Sequence, residues 1–469
     1  MFKRLAATKL EEWFHSKRRK PLIIRGARQV GKTTLVQQYA SDNNLDLIEI
    51  NLERYPNLQE VFKQMKVEPL LSEIYAINKK PRRSTEQTLV FIDEIQAIPE
   101  ALQWLRYVYE DRSDLAVIGA GSLLEFALKD GSISMPVGRV EFLWLYPMNF
   151  QEYLLAAKQE YYLKALKQIN LAEIDTFPLT THVELSRLMR EYSLVGGMPE
   201  VVETFLESGP HGAISAQNAL LTSYLDDLSK YTRKHSIARL QRIFRSIPGI
   251  IGQRVKFVNL SRDEKSRDIK EVIELLTIAG ITIPIFHSDS SGIPLAATED
   301  HNTFKLLFMD IGLALRSLGL EWSNVQNMTD EELVNAGPLS EQFVGQELMV
   351  SENSQERVHL NFWKRDKAQS EAEVDYVIEV ASEIFAIEVK AGPGGSMRSL
   401  HQFMLKNRKL NNVALRLHAS KPSFTKISHS VLNSEGIGVP LEYELLSLPL
   451  YMTSESKRLL KEVVSRSKP

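Results

Sequence analysis

The sequence predicts an α/β protein of several domains, with a parallel-sheet core at its N-terminus, a helical and winged-helix-like middle region, and a smaller α/β domain near its C-terminus. Short apolar strands alternate with helical segments over the first 150 residues, which is the pattern of a parallel sheet. Apolar residues then recur every three to four positions, and an alternation of period two returns near residue 373. At 469 residues, the chain is too long for one hydrophobic core.

Composition excludes several classes of protein. Hydrophobic residues make up 43% and charged residues 25%, as in an ordinary globular protein. The absence of cysteine excludes disulfides, thiolate metal sites and a cysteine nucleophile. A net charge of -2 does not indicate a nucleic-acid binder, although acidic regions elsewhere can mask a local basic face. The longest apolar stretch, "LLTIAGITIPIF", is too short to span a bilayer, and the N-terminus lacks a signal-peptide pattern, so we expect a cytoplasmic protein with no membrane partner.

The segment "PLIIRGARQVGKTTLVQQYA" predicts a strand, a glycine-bearing loop and a helix. Within it, "GARQVGKT" fits G-x-x-x-x-G-K-[ST] in the context that this phosphate-binding motif requires. Loop amides would cradle the β-phosphate of ATP, Lys32 would reach the β- and γ-oxygens, and the Thr33 hydroxyl would ligate Mg²⁺. The predicted nucleotide-binding residues are Gly26, Ala27, Arg28, Gln29, Val30, Gly31, Lys32, Thr33 and Thr34.

Further strands are predicted at "LDLIEINL", "TLVFIDEI" and "LAVIGAGS". Asp93 ends the second of these and would hold the Mg²⁺ shell, while Glu94 would polarise the attacking water. Such an acidic pair is otherwise a solvated strand end, but its pairing with the glycine loop favours the functional interpretation. Ser122 follows the third strand, where a sensor residue would read the γ-phosphate. Arg139 is a candidate catalytic finger for a neighbouring subunit's nucleotide, and a plain surface arginine is the alternative.

The pattern changes after the predicted parallel sheet. From about Asn149 the apolar spacing is helical, and "GGMP" separates two helical runs. The run "AGITIPIFHSDSSGIPLAATEDHNTFKLLFMD" predicts a two-stranded wing after short helices. We therefore predict an ATPase domain over 1–155, a helical lid over 156–236, a winged-helix-like domain over 237–335, a further α/β domain over 336–425 and a C-terminal tail over 426–469.

These motifs together resemble a known group of proteins. The run from "RGARQVGKTTL" through "FIDEIQ", "GAGS" and "GRVEFLWLYPMNFQEYL" is similar to bacterial and archaeal AAA-type ATPases, which are related to signalling P-loop ATPases. The similarity continues through "GGMPEVV", "FMDIGLA" and "PLSEQFVGQEL", and so covers most of the chain. Members of this group pair the ATPase with a C-terminal domain of unknown function that resembles restriction-endonuclease-like folds of the PD-(D/E)XK type.

In that nuclease-like pattern an acidic residue ends one strand and an E-x-K triplet lies on the next. The stretch "EVDYVIEVASEIFAIEVKAG" offers Asp375, then Glu388 and Lys390, and Glu341 would be the helical companion. By this resemblance, Asp375, Glu388 and Glu341 would hold one or two Mg²⁺ ions, and Lys390 would stabilise negative charge at the scissile phosphate. A charged, exposed sheet face is the alternative, as is a domain that binds without cutting.

Three functional hypotheses follow. In the first, ATP hydrolysis licenses a magnesium-dependent nuclease that acts on DNA. In the second, the protein is a nucleotide-gated switch that binds DNA or another partner without cutting it, and in the third it is a motor such as a helicase. A finger acting in trans would require a homo-oligomer with nucleotide at the subunit interfaces. The basic residues that could follow a DNA backbone are Lys364, Arg365, Arg398, Arg233, Lys234, Arg239, Arg242 and Arg245.

Overall fold

The computed structural model of this chain forms two compact units. The N-terminal unit contains Met1–Met148, Ile278–Ile281 and Asn353–Val358, and the C-terminal unit contains Asn149–Thr277, Thr282–Glu352 and His359–Pro469. The structure describes residues 2–122, 124–129, 135–229, 236–320, 322–323, 327–329, 332, 337–350, 356–365, 372–390, 397–408, 411–432 and 438–467.

The N-terminal unit is built on a five-stranded parallel sheet with the order β2-β3-β4-β1-β5. Its strands are β1 (Leu22–Arg25), β2 (Asp46–Asn51), β3 (Thr88–Asp93), β4 (Ala116–Ala120) and β5 (Glu141–Trp144). Parallel strands need crossover connections, and helices supply them here. These helices are α1 (Ala6–Phe14), α2 (Lys32–Asp42), α3 (Gln59–Phe62), α4 (Val67–Asn78), α5 (Glu100–Asp111) and α6 (Leu124–Lys129). The predicted parallel α/β core is confirmed, and β5 adds an edge strand that pairs with β1.

The C-terminal unit begins with helices, as the apolar spacing after Asn149 predicts. Asn149 and Glu152 form a capping box at the first of them, which satisfies backbone donors at both residues. The helices are α7 (Phe150–Ala156), α8 (Glu160–Gln168), α9 (Leu179–Val195), α10 (Pro199–Ser229), α11 (Ile237–Ser246), α12 (Phe257–Leu260), α13 (Ser266–Ile278), α14 (Ile311–Ser317), α15 (Pro338–Val350), α16 (Arg398–Asn407) and α17 (Ser456–Ser467).

A mixed eight-stranded sheet forms the core of the C-terminal unit. Its order is β12-β13-β11-β10-β9-β8-β6-β7. The strands are β6 (Thr282–Ser288), β7 (Glu299–Phe308), β8 (Leu360–Lys364), β9 (Glu373–Val380), β10 (Glu383–Val389), β11 (Val413–His418), β12 (Ser423–Leu432) and β13 (Gly438–Pro449).

This sheet corrects two of the predicted boundaries. The predicted wing exists as the antiparallel hairpin β6–β7, but the other edge of β6 pairs in parallel with β8, so the boundary at residue 335 divides one sheet. The predicted tail begins inside β12 and supplies β13, which lies between β12 and β11. Strand edges carry unpaired backbone groups that must find partners, and the partners used here are distant in sequence.

Three sequence motifs of the C-terminal unit meet at the buried carboxylate of Asp310. Its Oδ2 accepts a hydrogen bond of 2.6 Å from the Gly197 amide, and its Oδ1 accepts one of 2.9 Å from Leu313. Gly196 has φ +79°, and a Cβ at this position would collide with the Asp310 carboxylate. Gln346 of α15 accepts a hydrogen bond of 2.8 Å from the Ile311 amide in the same junction. The motifs "GGMPEVV", "FMDIGLA" and "PLSEQFVGQEL" therefore build one polar core.

Candidate functional sites

The glycine loop between β1 and α2 has a backbone that requires its glycines. Gly26 has φ +144°, and a Cβ there would collide with the carbonyl oxygen of Leu145. Gly31 has φ +93° immediately before α2 begins, so its amide and those that follow start the helix. Glycine is the residue that adopts these angles without steric cost. The loop thus leaves its backbone free to approach a phosphate at a helix N-terminus, and these residues fit a nucleotide.

Lys32 is buried inside this loop. Its Nζ donates to the carbonyl oxygens of Ala27 at 2.7 Å and Gly26 at 3.0 Å. Burial lowers the pKa of Lys32 to about 8, and the nearby Glu94 and Asp93 carboxylates oppose that shift. The ammonium group is therefore held within the loop, where the motif requires a positive charge.

Thr33 lies against the acidic pair at the end of β3. The Thr33 hydroxyl donates to Asp93 Oδ2 at 3.0 Å, and the Glu94 amide donates to Asp93 Oδ1 at 3.0 Å. Burial raises the pKa of Asp93, with Glu94 adding to the shift. A hydroxyl and a carboxylate oxygen side by side are suitable ligands for Mg²⁺.

Other predicted residues surround this pair. Glu94 Oε2 accepts a hydrogen bond of 2.6 Å from Gln96, and Ser122 lies 3.5 Å from the same oxygen. Arg28 Nε donates to Ser122 Oγ at 3.2 Å. Thr34 lies in the first turn of α2 with an exposed side chain. The structure therefore brings the loop, the acidic pair and Ser122 together at the carboxyl ends of β3 and β4.

Arg139 is placed apart from these contacts. Its Nε lies 3.1 Å from Glu110 Oε1, and its side chain is 43% exposed. The guanidinium also lies over the ring of Tyr109, 5.7 Å from its centroid. Within one chain, Arg139 belongs to a surface ion pair, and the role of a finger for a second subunit stays a prediction.

Sequence reasoning missed two residues that organise the nucleotide loop. Arg4 is buried, and its guanidinium donates to the carbonyl oxygens of Val30 at 2.8 Å and Tyr146 at 2.6 Å. Gln96 orients Glu94, and its position two residues after Glu94 in "FIDEIQ" was the available signal. Arg4 gives no such signal, because it stands in an ordinary amphipathic stretch well before the motif.

The second candidate site lies where β9 and β10 pair. The Val389 amide donates to Asp375 Oδ2 at 2.7 Å, and Lys390 Nζ lies 3.2 Å from Glu388 Oε1. Burial raises the pKa of Glu388 to about 8, and the negative charges of Asp375 and Glu341 contribute. The structure thus brings Asp375, Glu388, Lys390 and Glu341 into one cluster, which we call the carboxylate cluster.

A second carboxylate on α15, that of Glu347, points elsewhere. Its Oε1 accepts a hydrogen bond of 2.8 Å from the Phe150 amide. Burial raises the pKa of Glu347 to about 8, so the carboxyl group favours its neutral form. Of these two glutamates, Glu341 is the one that faces the carboxylate cluster.

Lys305 of β7 enters the carboxylate cluster, and sequence reasoning missed it. Its side chain is 1% exposed, and its Nζ lies 3.1 Å from Glu341 Oε2 and 2.6 Å from Glu373 Oε1. Burial lowers the pKa of Lys305, but Glu341, Asp375 and Glu373 outweigh that effect and the net shift is upward. Among the residues that the structure describes, no group of three His, Cys, Asp or Glu side chains is placed to hold a metal ion. As arranged, these residues do not fit resident Mg²⁺.

Basic residues lie near the cluster at the ends of β8 and β10 and at the start of α16. Lys364 ends β8 directly opposite Glu373, and Arg365 Nη1 donates to Gln402 Oε1 at 3.0 Å. Arg398 begins α16 with an exposed side chain, and the Lys390 side chain is 41% exposed. We call Lys364, Arg365, Lys390 and Arg398 the basic rim.

Two of the basic residues on α11 are held in ion pairs. Arg239 lies 2.6 Å from Glu264 and 3.0 Å from Asp268, and Arg242 lies 3.7 Å from Glu264. Arg245 is exposed, and Arg233 and Lys234 lie outside the described residues.

Comparison with protein families divides the chain into three matches. Residues 18–154 match the AAA domain. Residues 186–324 match a domain of unknown function (DUF8612), and residues 336–433 match another domain of unknown function (DUF4143). No curated protein matches the chain. No helix in the described ranges is long and apolar enough to cross a membrane.

Solved structures show weak similarity. A Walker-type ATPase of Pyrococcus abyssi is 17% identical with a TM-score of 0.43, over 68% of this chain and 96% of that one. The Aeropyrum pernix ORC1 protein in complex with DNA is 12% identical with a TM-score of 0.27, over 67% and 90%. The Thermotoga maritima RuvB Holliday junction branch migration motor is 17% identical with a TM-score of 0.26, over 68% and 96%. All three scores are below 0.5, too low to transfer a function. The family match and the loop geometry make the N-terminal unit an ATPase domain of the AAA type.

Proposed function

We propose that this chain binds and hydrolyses ATP in its N-terminal unit, and that its nucleotide state controls a C-terminal unit that acts on DNA. The contact between Thr33 and Asp93 at 3.0 Å, beside Glu94 and within the Lys32 loop, carries the first part. It places a hydroxyl, two carboxylates and an ammonium group at one loop, which is the set that phosphoryl transfer to water uses.

Each of these side chains has a distinct role. Lys32 and the loop amides bind and orient the phosphates, while Thr33 and Asp93 would hold Mg²⁺. Bound Mg²⁺ supplies charge neutralisation at the phosphate oxygens. Glu94, held by Gln96 at 2.6 Å, orients the attacking water and accepts its proton. Ser122, 3.5 Å from the same Glu94 oxygen, would read the γ-phosphate.

Two substitutions test the ATPase assignment. Lys32→Ala should abolish nucleotide binding or turnover, because it removes the charge that holds the phosphates. Glu94→Gln should retain ATP binding and lower the turnover rate by roughly 10²- to 10⁴-fold, the usual contribution of a general base. Binding is measured by calorimetry and turnover by phosphate release. Lys63→Ala, which alters an exposed ion pair in the same unit, is the control. Unchanged turnover in Lys32→Ala or Glu94→Gln rules out this site.

For the C-terminal unit, the geometry best supports a DNA-binding switch that does not cleave. The basic rim presents positive charge, which binding to a phosphate backbone requires. This rim lies beside the carboxylate cluster. Lys305 already pairs with Glu341 and Glu373, which leaves the cluster without the open ligand set of a metal-dependent nuclease.

Cleavage is the second candidate, because one observation favours it. Asp375, Glu388 and Lys390 converge, and the buried Glu388 Oε2 atom has no hydrogen-bond partner in the cluster. Under this candidate, Asp375 and Glu388 would hold Mg²⁺ in a nucleotide state that differs from the present arrangement, and the ion would supply charge neutralisation at the scissile phosphate.

DNA binding and plasmid degradation distinguish the two candidates. We expect the full chain to bind duplex DNA in a salt-dependent way, with binding that changes between ATP and ADP. A Lys364→Ala, Arg365→Ala double variant should weaken that binding, since each lost phosphate contact reduces the salt slope by about one. Plasmid cut by the wild type in Mg²⁺ and ATP, but not by Lys390→Ala, would establish cleavage. Absence of both binding and cutting would exclude DNA as the partner.

A further inference from the structure

We propose that Lys305 is the resident cation of the carboxylate cluster, and that it closes this cluster to divalent metal ions. The inference rests on the proposed function only in taking the cluster as the working site of the C-terminal unit. It deepens that proposal by assigning the control of the site to one lysine on β7.

The first support is the environment of Lys305. Its side chain is 1% exposed, and a lysine is almost never this buried unless it is paired. Its Nζ bridges two carboxylates that belong to different elements, Glu341 of α15 and Glu373 of β9. The ring of Phe362 lies 5.2 Å from the same nitrogen and covers it on another side. Because the side chain is almost completely buried, the ammonium group is shielded from bulk solvent, and these two carboxylates balance its charge.

The second support is that both carboxylates are already engaged. Glu373 Oε1 faces Lys305 at 2.6 Å, and its Oε2 faces Arg254 at 3.4 Å. The backbone of Arg254 also forms a bridge with that of Lys305. Glu341 Oε1 packs against Gly252, where an added Cβ would come within 3.1 Å of it. A metal ion would have to displace the ammonium group to bind Glu341 Oε2 or Glu373 Oε1.

The third support is the balance of charge. The ammonium group of Lys305 lies among the carboxylates of Glu341, Glu373 and Asp375, and these raise the pKa of Lys305 against the effect of burial. Losing Lys305 removes one positive charge from the cluster, and a bound cation would replace that charge. The counter-charge of these carboxylates is thus a side chain of the same sheet.

Manganese binding to the full chain tests this assignment. Every sample carries Asp93→Asn and contains no nucleotide, so that the N-terminal site does not contribute. Bound Mn²⁺ is counted from the loss of the free-ion electron paramagnetic resonance signal. With Lys305 in place, we expect no stoichiometric Mn²⁺ binding. With Lys305→Met, we expect one Mn²⁺ per chain, with an affinity at least roughly 10-fold above any binding to the chain that retains Lys305, since groups beside a metal site alter affinity by roughly 10- to 100-fold.

Further variants locate the gained ion. Adding Glu388→Gln or Asp375→Asn to Lys305→Met should remove it, and Lys406→Met, an exposed lysine of the same unit, should gain none. Lys305→Met with Glu341→Gln removes both members of an ion pair, so it should fold and bind no Mn²⁺.

Two results would overturn the proposal. One is a folded Lys305→Met chain that gains no Mn²⁺. The other is the binding of one Mn²⁺ per chain when Lys305 is retained, with this binding lost in Asp375→Asn. This second measurement tests the proposal even if Lys305→Met does not fold. Because the readout uses neither DNA nor ATP, failure of the proposed function would leave the Mn²⁺ result unchanged.

Discussion

At the scale of single residues, the nucleotide loop depends on a side chain outside its motif. Arg4 donates to Val30, which is within the loop, and to Tyr146, which follows β5. Both acceptors are backbone carbonyls, so the guanidinium ties the loop to the edge of the parallel sheet. Hydrogen bonds from a charged donor to buried acceptors are among the stronger ones in proteins. Arg4 therefore holds the loop in the form that receives the phosphates.

Replacing Arg4 by Met should loosen this loop. The substitution leaves two carbonyl oxygens without their donor, and we expect the free energy of unfolding to fall by about 2–3 kcal/mol. The affinity for an ATP analogue should fall as well, because the free chain must order the loop before binding. Urea unfolding and calorimetry measure the two effects. Arg18→Met changes an exposed arginine nearby and should alter neither. Wild-type affinity and stability in Arg4→Met would contradict the assigned role.

At the scale of elements, α15 is a buried helix that uses polar side chains to satisfy the backbone of its neighbours. Gln342 both donates to the Phe308 carbonyl at 2.7 Å and accepts from the Phe308 amide at 2.8 Å. Glu347 accepts from the Phe150 amide at 2.8 Å, at the start of α7. Buried backbone groups must find partners, and this helix supplies them at several points. Its sequence therefore reflects interior hydrogen bonding as well as the carboxylate cluster.

The raised pKa of Glu347 predicts a pH dependence of stability. Burial moves this pKa from 4.5 to about 8, so between these values the folded chain holds a proton that the unfolded chain releases. Stability contributed by this group is thus present at low pH and is lost as the pH rises through that window. Glu347→Gln keeps the acceptor for Phe150 and has no proton to lose. Relative to the wild type, the variant should become more stable from pH 5 to pH 8, by at most about 1.4 kcal/mol per pH unit.

Urea unfolding midpoints at several pH values provide the measurement. A constant offset between Glu347→Gln and the wild type carries no information, since only the pH-dependent part reports the proton. Glu379→Gln changes an exposed carboxylate of β9 and should follow the wild type. Parallel curves for Glu347→Gln and the wild type would show that the carboxyl group titrates normally in the folded chain.

At the scale of the whole molecule, Arg139 is the residue that bears on assembly. Arg139 is part of a surface ion pair with Glu110, which is also contacted by Arg106 at 3.0 Å. An exposed pair of this kind contributes little to stability, so Arg139 is free to exchange its partner at low cost. If it acts as a finger, the exchange partner is a γ-phosphate on a second copy of the chain.

Mass measurement with and without a non-hydrolysable ATP analogue tests this role. We expect the analogue to shift the chain from monomer to a larger assembly. Arg139→Ala should lower ATP turnover by on the order of 10³-fold, as for other arginine fingers, while leaving nucleotide affinity unchanged. Arg106→Ala removes the other arginine that contacts Glu110 and should retain turnover. A chain that stays monomeric and hydrolyses ATP equally well with Arg139→Ala would restrict this arginine to its surface pair.

The sequence by itself determined the local chemistry. The glycine loop, Lys32, Thr33 and the Asp93–Glu94 pair are specified within short segments, since strand, loop and helix patterns act over a few residues. The alternation that brings Asp375 next to Glu388 is also local, because β9 and β10 are joined by a tight turn and pair along their length. Each of these groupings was predicted for that reason.

Only the tertiary structure decided which distant groups meet. Arg4 contacts Tyr146 across 142 positions, and Lys305 contacts Glu341 across 36. In sequence, Lys305 is one polar residue in an alternating strand and looks like part of a solvated face. Its buried position depends on contacts with Glu341 of α15 and Glu373 of β9, and no local pattern encodes these contacts. The sequence identified the carboxylates of the C-terminal cluster, and the fold placed Lys305 among them. The sequence could not do so, because electrostatic interactions depend on distance and burial rather than on order along the chain.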